Sequence, residues 1–340
     1  MKKKNILITG VAGFIGFHVA KKLLNDKNNN IIGIDSLNKY YSPKLKIARL
    51  NILKKKLNFS FKKINIVHYR KLQNLFKKNK FEKVINLAAQ AGVRYSLKKP
   101  RTYIRSNIIG FFNIIDLSKD YKIKHLIYAS SSSVYGANKN LPFPENSPAN
   151  HPIQLYAATK LSNESMAHAY SSLYKLPTSG IRFFSVYGPW GRPDQALFIF
   201  TKKILNNQKL KLFNYGNHTR DFTYIDDLVE GIVKISKKVP QMSNNKNYKK
   251  LNQDTSIYPY EIYNLGSGKT VKLKQYLSLI EKFLRKKAKI DYLPLQKGDV
   301  INVSCSISKA KKLLGYNPKT QVAKGIYKFV EWYLQFFHKK

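Results

Sequence analysis

Asn5-Ile6-Leu7-Ile8-Thr9-Gly10-Val11-Ala12-Gly13-Phe14-Ile15-Gly16 decides the fold of this chain. Residues 5–9 have the length and apolarity of a buried strand, and residues 14–25 follow with helical periodicity. Gly10, Gly13 and Gly16 stand between and at the start of these elements. Glycines there permit a tight turn, close approach of a pyrophosphate, and packing of the helix on the sheet. The helix start, with Phe14 and Ile15, offers free N–H groups and a partial positive charge to phosphates. Asp35 ends the next strand, roughly twenty residues on, where an acid holds adenosine ribose hydroxyls. An acid at that point repels a 2′-phosphate, so the expected cofactor is NAD rather than NADP.

Working outward, strand-like and helix-like segments alternate. Strands are predicted at 31–35, 59–64, 83–87, 125–130 and 179–184, with helices at 43–55, 68–78, 101–120 and 156–174. Repeated βαβ units imply a parallel sheet covered on both faces, with right-handed connections. The fold class is therefore α/β, a Rossmann-type doubly wound parallel sheet with a smaller C-terminal α/β substrate lobe. Residues 1–184 are assigned to the NAD-binding domain, to which later segments can return, and residues 185–340 mainly to the substrate lobe. Residues 241–255 read as a polar surface insertion, and 327–337 as an amphipathic C-terminal helix. Asn65, at the end of the third strand, is placed near the adenine or in a surface turn. Asn107 lies mid-helix, where asparagine has low propensity, and is assigned either to the nicotinamide end or to polar core packing.

The chain carries 62 basic against 18 acidic residues, a formal charge of +44 over 340 residues. Nine of the basic residues are arginine and the rest lysine, scattered rather than blocked. Sequence-specific nucleic-acid readers favour arginine forks, so no specific nucleic-acid partner is expected. Cys305 is the only cysteine, which excludes an intrachain disulfide and a cysteine-rich zinc site. No metal is called for. No apolar run is long enough to span a bilayer, so no membrane partner is expected, and the lone cysteine fits a cytoplasmic location.

Tyr156 and Lys160 stand four apart on a predicted helix, so both can act on one ligand. A free tyrosine is a poor base at neutral pH. A neighbouring ammonium and a cationic nicotinamide ring would lower its pKa. Ser130-Ser131-Ser132-Ser133-Val134-Tyr135-Gly136 follows an apolar strand, so its hydroxyls should face the ligand crevice. Arg192 and Arg220 are candidates for a diphosphate or carboxylate, because guanidinium presents a planar fork, and Arg94 is assigned either to the substrate or to ordering its own loop.

Six segments carry a resemblance over nearly the full length. They are residues 9–16, Leu87-Ala88-Ala89-Gln90-Ala91-Gly92-Val93-Arg94-Tyr95-Ser96, residues 130–136, residues 156–160, residues 182–194 with Gly188-Pro189-Trp190-Gly191-Arg192-Pro193-Asp194, and residues 220–227. The chain resembles the extended short-chain dehydrogenases/reductases, and within them the bacterial UDP-glucuronate 4-epimerases. The resemblance implies NAD-dependent interconversion of UDP-glucuronate and UDP-galacturonate. Tyr156 would take the C4 hydroxyl proton while hydride leaves C4, the 4-keto sugar would rotate, and both would be returned on the opposite face. Lys160 would hold the nicotinamide ribose and Ser131 would bridge the sugar O4 and Tyr156. Ile66, Leu87, Ala88, Ala89, Asn65 and Asn107 join the cofactor set. Ser132, Ser133 and Ser185 would grip the uronate, whose 4-keto form is a β-keto acid prone to lose CO₂. A homodimer through the two long helices is implied as well.

Some positions depart from the family. Asn86 and Asn65 stand where histidine and aspartate are common, and Ser131 and Ser185 where threonine is common. Asn65 carries no charge, which predicts weaker adenine binding and weak NAD retention. A 4,6-dehydratase needs an acid pair where this chain has Ser132-Ser133. UDP-galactose 4-epimerases typically have asparagine where it has Ser185. A UDP-glucuronate decarboxylase shares the first step but usually has an acid near the serine cluster; it and the UDP-galactose 4-epimerase are the alternatives within the family. A non-catalytic NAD- or nucleic-acid-binding protein would not need Tyr156, Lys160 and Ser131 together.

Overall fold

The computed structural model describes residues 3–243 and 252–338. Six strands arise in the first half: β1 (Lys4–Thr9), β2 (Asn29–Asp35), β3 (Phe59–Lys63), β4 (Lys83–Asn86), β5 (His125–Ser131) and β6 (Thr178–Phe183). The later strands are β7 (Ser185–Tyr187), β8 (Leu210–Phe213), β9 (Thr219–Tyr224), β10 (Tyr260–Leu265), β11 (Thr270–Lys272) and β12 (Ile290–Leu293). Seven strands make one sheet in the order β3-β2-β1-β4-β5-β6-β10, and every pairing in it is parallel.

The strands read as apolar runs because both faces are buried. In β1, Ile6 and Ile8 point into one core with Phe17, Leu50 and Ile232. Leu7, between them, points into the other with Val84, Ile114 and Leu126. The helices Phe14–Leu23, Pro43–Lys54 and Ile225–Lys237 cover the first face, and Tyr69–Asn79, Gly110–Asp120 and Leu155–Tyr174 the second. Strand order reverses between β1 and β4, which opens a crevice at their carboxyl ends. Thr9 Oγ1 bridges that gap, donating to Asn86 Oδ1 (2.6 Å) and accepting from Ala88 N (3.0 Å).

The segment predicted as one helix over 101–120 is not regular. An α-turn at Pro100–Tyr103 leads into a π-helical stretch, Ile104–Ile109, and then the α-helix Gly110–Asp120. Asn107 accounts for the wide turn. Its Oδ1 accepts from Gln90 N (2.8 Å), and its Nδ2 donates to Gln90 O (3.0 Å) and Thr159 Oγ1 (3.1 Å). Its own carbonyl accepts from Asn163 Nδ2 (2.6 Å). The backbone here follows the wider π-type ladder, with Gly110 N donating to Arg105 O, and such bulges gather at functional sites.

Beyond residue 184, β7, β9 and β11 form a small sheet and β8 pairs with β12, while β10 returns to the large sheet beside β6. The C-terminal helix spans Val322–Phe337 and buries Ile326, Phe329, Val330 and Tyr333 at helical spacing. Of the expected insertion at 241–255, residues 244–251 lie outside the described residues.

Candidate active site

The glycine turn is forced by close approach. Gly10 has φ +67°, and a Cβ there would lie 2.8 Å from Ala88 N. A Cβ on Gly13 would lie 2.9 Å from the Gly10 carbonyl oxygen, and one on Gly16 would run into that same oxygen. Asp35 also serves this turn: Oδ2 accepts from Ala12 N (3.2 Å) and Oδ1 from Leu37 N (2.8 Å).

Beneath it lies a residue that the sequence reading passed over. Arg49 is fully buried on the helix Pro43–Lys54. Its Nη1 donates to Ala12 O and to the Tyr41 hydroxyl, both at 2.8 Å. Its Nη2 donates to Trp190 O (2.6 Å) and Gly191 O (3.3 Å). One guanidinium therefore clamps the glycine turn to the loop that carries Arg192. The available signal was arginine itself, scarce in a lysine-rich chain and suited to several fixed acceptors at once.

The chemistry gathers around one cleft of about 880 Å³. Gly10, Gly13, Phe14, Ile15 and Gly16 border one end, with Leu87, Ala88 and Ala89 leaving β4. Ser131 ends β5, Ser132 and Ser133 lie on the one-turn helix Ser132–Tyr135, and Tyr156 and Lys160 project from the helix Leu155–Tyr174. Ser185 of β7, Arg94, Arg192 and Arg220 border the far end. Asp35, Asn65, Ile66 and Asn107 are not among the residues on the cleft wall. Asn65 Oδ1 accepts from Val67 N (3.2 Å) in a local turn, and Ile66 packs in the second core. Asn107 acts from behind the wall, through Gln90 and Thr159.

The electrostatics of the pair are set by burial and by its neighbours. Burial raises the pKa of Tyr156, and the groups opposing this are the Ser131 hydroxyl and the charge of Arg192. Lys160 is not one of them. Its Nζ donates to Ala129 O (2.8 Å), and burial lowers its pKa to about 8, with Glu164 pulling it upward. The ammonium is thus turned to a main-chain carbonyl, and desolvation makes it easier to deprotonate than a free lysine.

Glu164 in turn is gripped by Arg182, Nε to Oε1 (3.0 Å) and Nη2 to Oε2 (2.8 Å), and accepts from Ser130 Oγ (2.5 Å). This buried pair fixes the floor below Lys160. Arg192 makes a bidentate pair with Asp194 (3.1 and 3.0 Å), whose Oδ2 also accepts from Tyr40 (3.0 Å). Arg220 is anchored to the carbonyls of Thr219, Ile301 and Val300, and burial lowers its pKa to about 10. Arg94 pairs with Asp299 (3.0 Å) and covers the Phe213 ring at 4.6 Å.

Fold and site together define a short-chain dehydrogenase/reductase of the extended type, with a glycine turn at β1 and a Tyr–Lys pair at the crevice. Residues 7–329 match the GDP-mannose 4,6-dehydratase family, and the chain belongs to it. It is 50% identical over 336 residues to Protein CapI of Staphylococcus aureus, covering 98% of this chain and 99% of that one. It is 43% identical over 334 residues to a probable UDP-glucuronate 4-epimerase of Rhizobium meliloti, covering 98% of each. Among solved structures, UDP-glucuronic acid 4-epimerase from Bacillus cereus, in complex with UDP-glucuronic acid and NAD, superposes with a TM-score of 0.88. That match has 31% identity and covers 98% of this chain and 100% of the other.

Proposed function

We propose that this chain is an NAD-dependent 4-epimerase interconverting UDP-glucuronate and UDP-galacturonate. The observation that carries this reading is the wall beside Tyr156. The residues next to Ser131 on the cleft are Ser132 and Ser133, hydroxyls rather than an acid–base pair. Elimination needs such a pair, whereas a sugar carboxylate would be repelled by an acid there and can accept hydrogen bonds from hydroxyls. The 98% mutual coverage of the Rhizobium meliloti relative and the Bacillus cereus superposition support the same reading.

The glycine turn and helix Phe14–Leu23 suit a dinucleotide pyrophosphate, and Asp35 retains lone pairs for ribose hydroxyls. NAD, when bound, supplies the hydride acceptor and donor at C4 and a positive ring that favours the phenolate. Tyr156 takes the C4 hydroxyl proton and later returns one, with Ser131 relaying between phenol and sugar O4. Lys160 holds the nicotinamide ribose. Ser132, Ser133 and Ser185 hold the carboxylate off the alignment in which a 4-keto uronate loses CO₂. Arg192 and Arg220 take anionic groups of the nucleotide sugar. In this reading residues 185–340 supply mainly the sugar-nucleotide side.

A homodimer in the cytoplasm completes the proposal. Ile104, Ile109, Phe112, Leu173 and Tyr174 are exposed along the two long helical segments, an apolar stripe suited to a second copy. Phe112→Asp should halve the mass seen by light scattering, and an unchanged mass would count against this face. Among the described residues no helix is long and apolar enough to cross a membrane.

The decisive test is NMR of the purified protein with UDP-glucuronate and NAD⁺. UDP-galacturonate with wild type and none with Tyr156→Phe supports the epimerase. UDP-xylose or a UDP-4-keto-pentose would make it a decarboxylase, and no product would send the search to other nucleotide sugars.

A further inference from the structure

His218 is only 5% exposed, yet neither ring nitrogen has a hydrogen-bond partner within the protein. It stands immediately before β9, two residues from Arg220, and borders the same cleft. Its backbone is fixed by Leu273 N, which donates to His218 O (2.9 Å). A buried imidazole with two idle nitrogens is destabilising unless something else completes it.

The surroundings indicate what completes it. The charges acting on the ring are Arg220 from β9, Arg94 from the helix Val93–Lys98, and Asp299 from the loop before residue 300. Lys211 of β8 borders the cleft, and Lys274 of the helix Leu273–Leu284 packs against Gly216 nearby. Asp299 is already paired with Arg94 at 3.0 Å. Three cationic side chains on the cleft wall against one engaged carboxylate leave an excess of positive charge there, which fits an anion and disfavours a second fixed cation.

We propose that His218 is a ligand of the nucleotide-sugar diphosphate, donating a ring N–H to a phosphate oxygen and taking up a proton as the diphosphate binds. The proposal rests on the nucleotide-sugar reading of the cleft. Burial and Arg220 hold its pKa below the ordinary histidine value, favouring the neutral ring, with Asp299 in opposition. An arriving anion opposes both effects and favours the imidazolium. Linkage then fixes the sign. A group whose pKa rises on binding makes affinity increase as pH falls through the bound-state value, by at most about tenfold per pH unit for one proton.

The test is calorimetric binding of UDP-glucose to the NAD-loaded full chain between pH 5.5 and 7. The diphosphate diester of UDP-glucose does not titrate in this range, and the range stays below the Lys160 value of about 8. Wild type should bind several-fold more tightly at pH 5.5 than at 7, with proton uptake seen as a buffer-dependent heat. His218→Gln keeps a donor without a titrating ring and should lose the slope and the uptake. His218→Met should lose both and bind more weakly throughout. Uridine, which lacks phosphate, should show no slope with any of the three. Equal slopes in wild type and His218→Gln, or a slope with uridine, would overturn the assignment to the diphosphate. Absence of UDP-glucose, UDP and UDP-glucuronate binding by wild type at every pH would overturn the nucleotide-sugar reading itself. The Gln variant decides the matter if the Met variant does not fold.

Discussion

Tyr156 illustrates how a side chain can be poised by opposing effects. Burial holds its proton on, while the Ser131 hydroxyl and Arg192 draw it off. Tyr156→Phe removes the group proposed to carry that proton and should lower kcat by about 10²–10⁴-fold, with a smaller change in KM. Lys160 gives a separate pH signature. It loses its proton at about 8 in the folded chain against an ordinary 10.5. Below pH 8 both states are protonated and the burial penalty is full. Between 8 and 10.5 the unfolded chain binds more protons, so this group makes stability rise with pH. Unfolding midpoints from pH 7.5 to 10 should therefore climb more steeply for wild type than for Lys160→Met, and parallel profiles would refute the assignment. The pair, the serine run and the arginines were legible from spacing and resemblance. The direction of the Lys160 ammonium was not, because spacing brings two residues to one helix face without saying which acceptor each finds.

At the level of elements, the sequence displayed strands and helices closely because apolar period and glycine position are local properties. Two features escaped it. The π-helical stretch at Ile104–Ile109 depends on Asn107 meeting Gln90 and Thr159, residues distant in sequence. The Arg49 clamp depends on two loops, at Ala12 and at Trp190 and Gly191, far apart in sequence and converging on one guanidinium. Arg49→Met should leave the carbonyls of Ala12, Trp190 and Gly191 without this donor and cost about 2–3 kcal/mol of unfolding free energy. It should also speed NAD loss and raise KM for the nucleotide sugar together, because both loops are freed. A variant with altered stability but unchanged KM and NAD exchange would reduce Arg49 to a structural residue. The return of β10 to the large sheet likewise shows why a boundary drawn at 184 describes chain order better than space.

On the scale of the whole molecule, the charge of +44 is a field rather than a site. A dianionic or trianionic substrate is drawn toward such a surface, so kcat/KM should fall as salt rises from 20 to 300 mM, with kcat nearly constant. A kcat that falls in parallel would place the salt effect within the site instead. Little of this was misleading in the sequence, since diffuse lysine announced general attraction and scarce arginine marked particular work. Of the nine arginines, five are tied into the cleft or its supports at Arg49, Arg94, Arg182, Arg192 and Arg220.

Arg49 reaches Trp190 and Gly191 through their main-chain oxygens, not through their side chains. The clamp therefore recognises the route of that loop and is blind to its lettering. Trp190 holds a φ of +63° there, with its ring packed tilted or edge-on against Phe17, Trp332 and Phe336. Rewriting neighbouring side chains to admit a different sugar is open to evolution or to an engineer. Shortening or lengthening the loop by a single residue is not, because the same edit would unlatch the nucleotide turn held by the other arm of the same guanidinium.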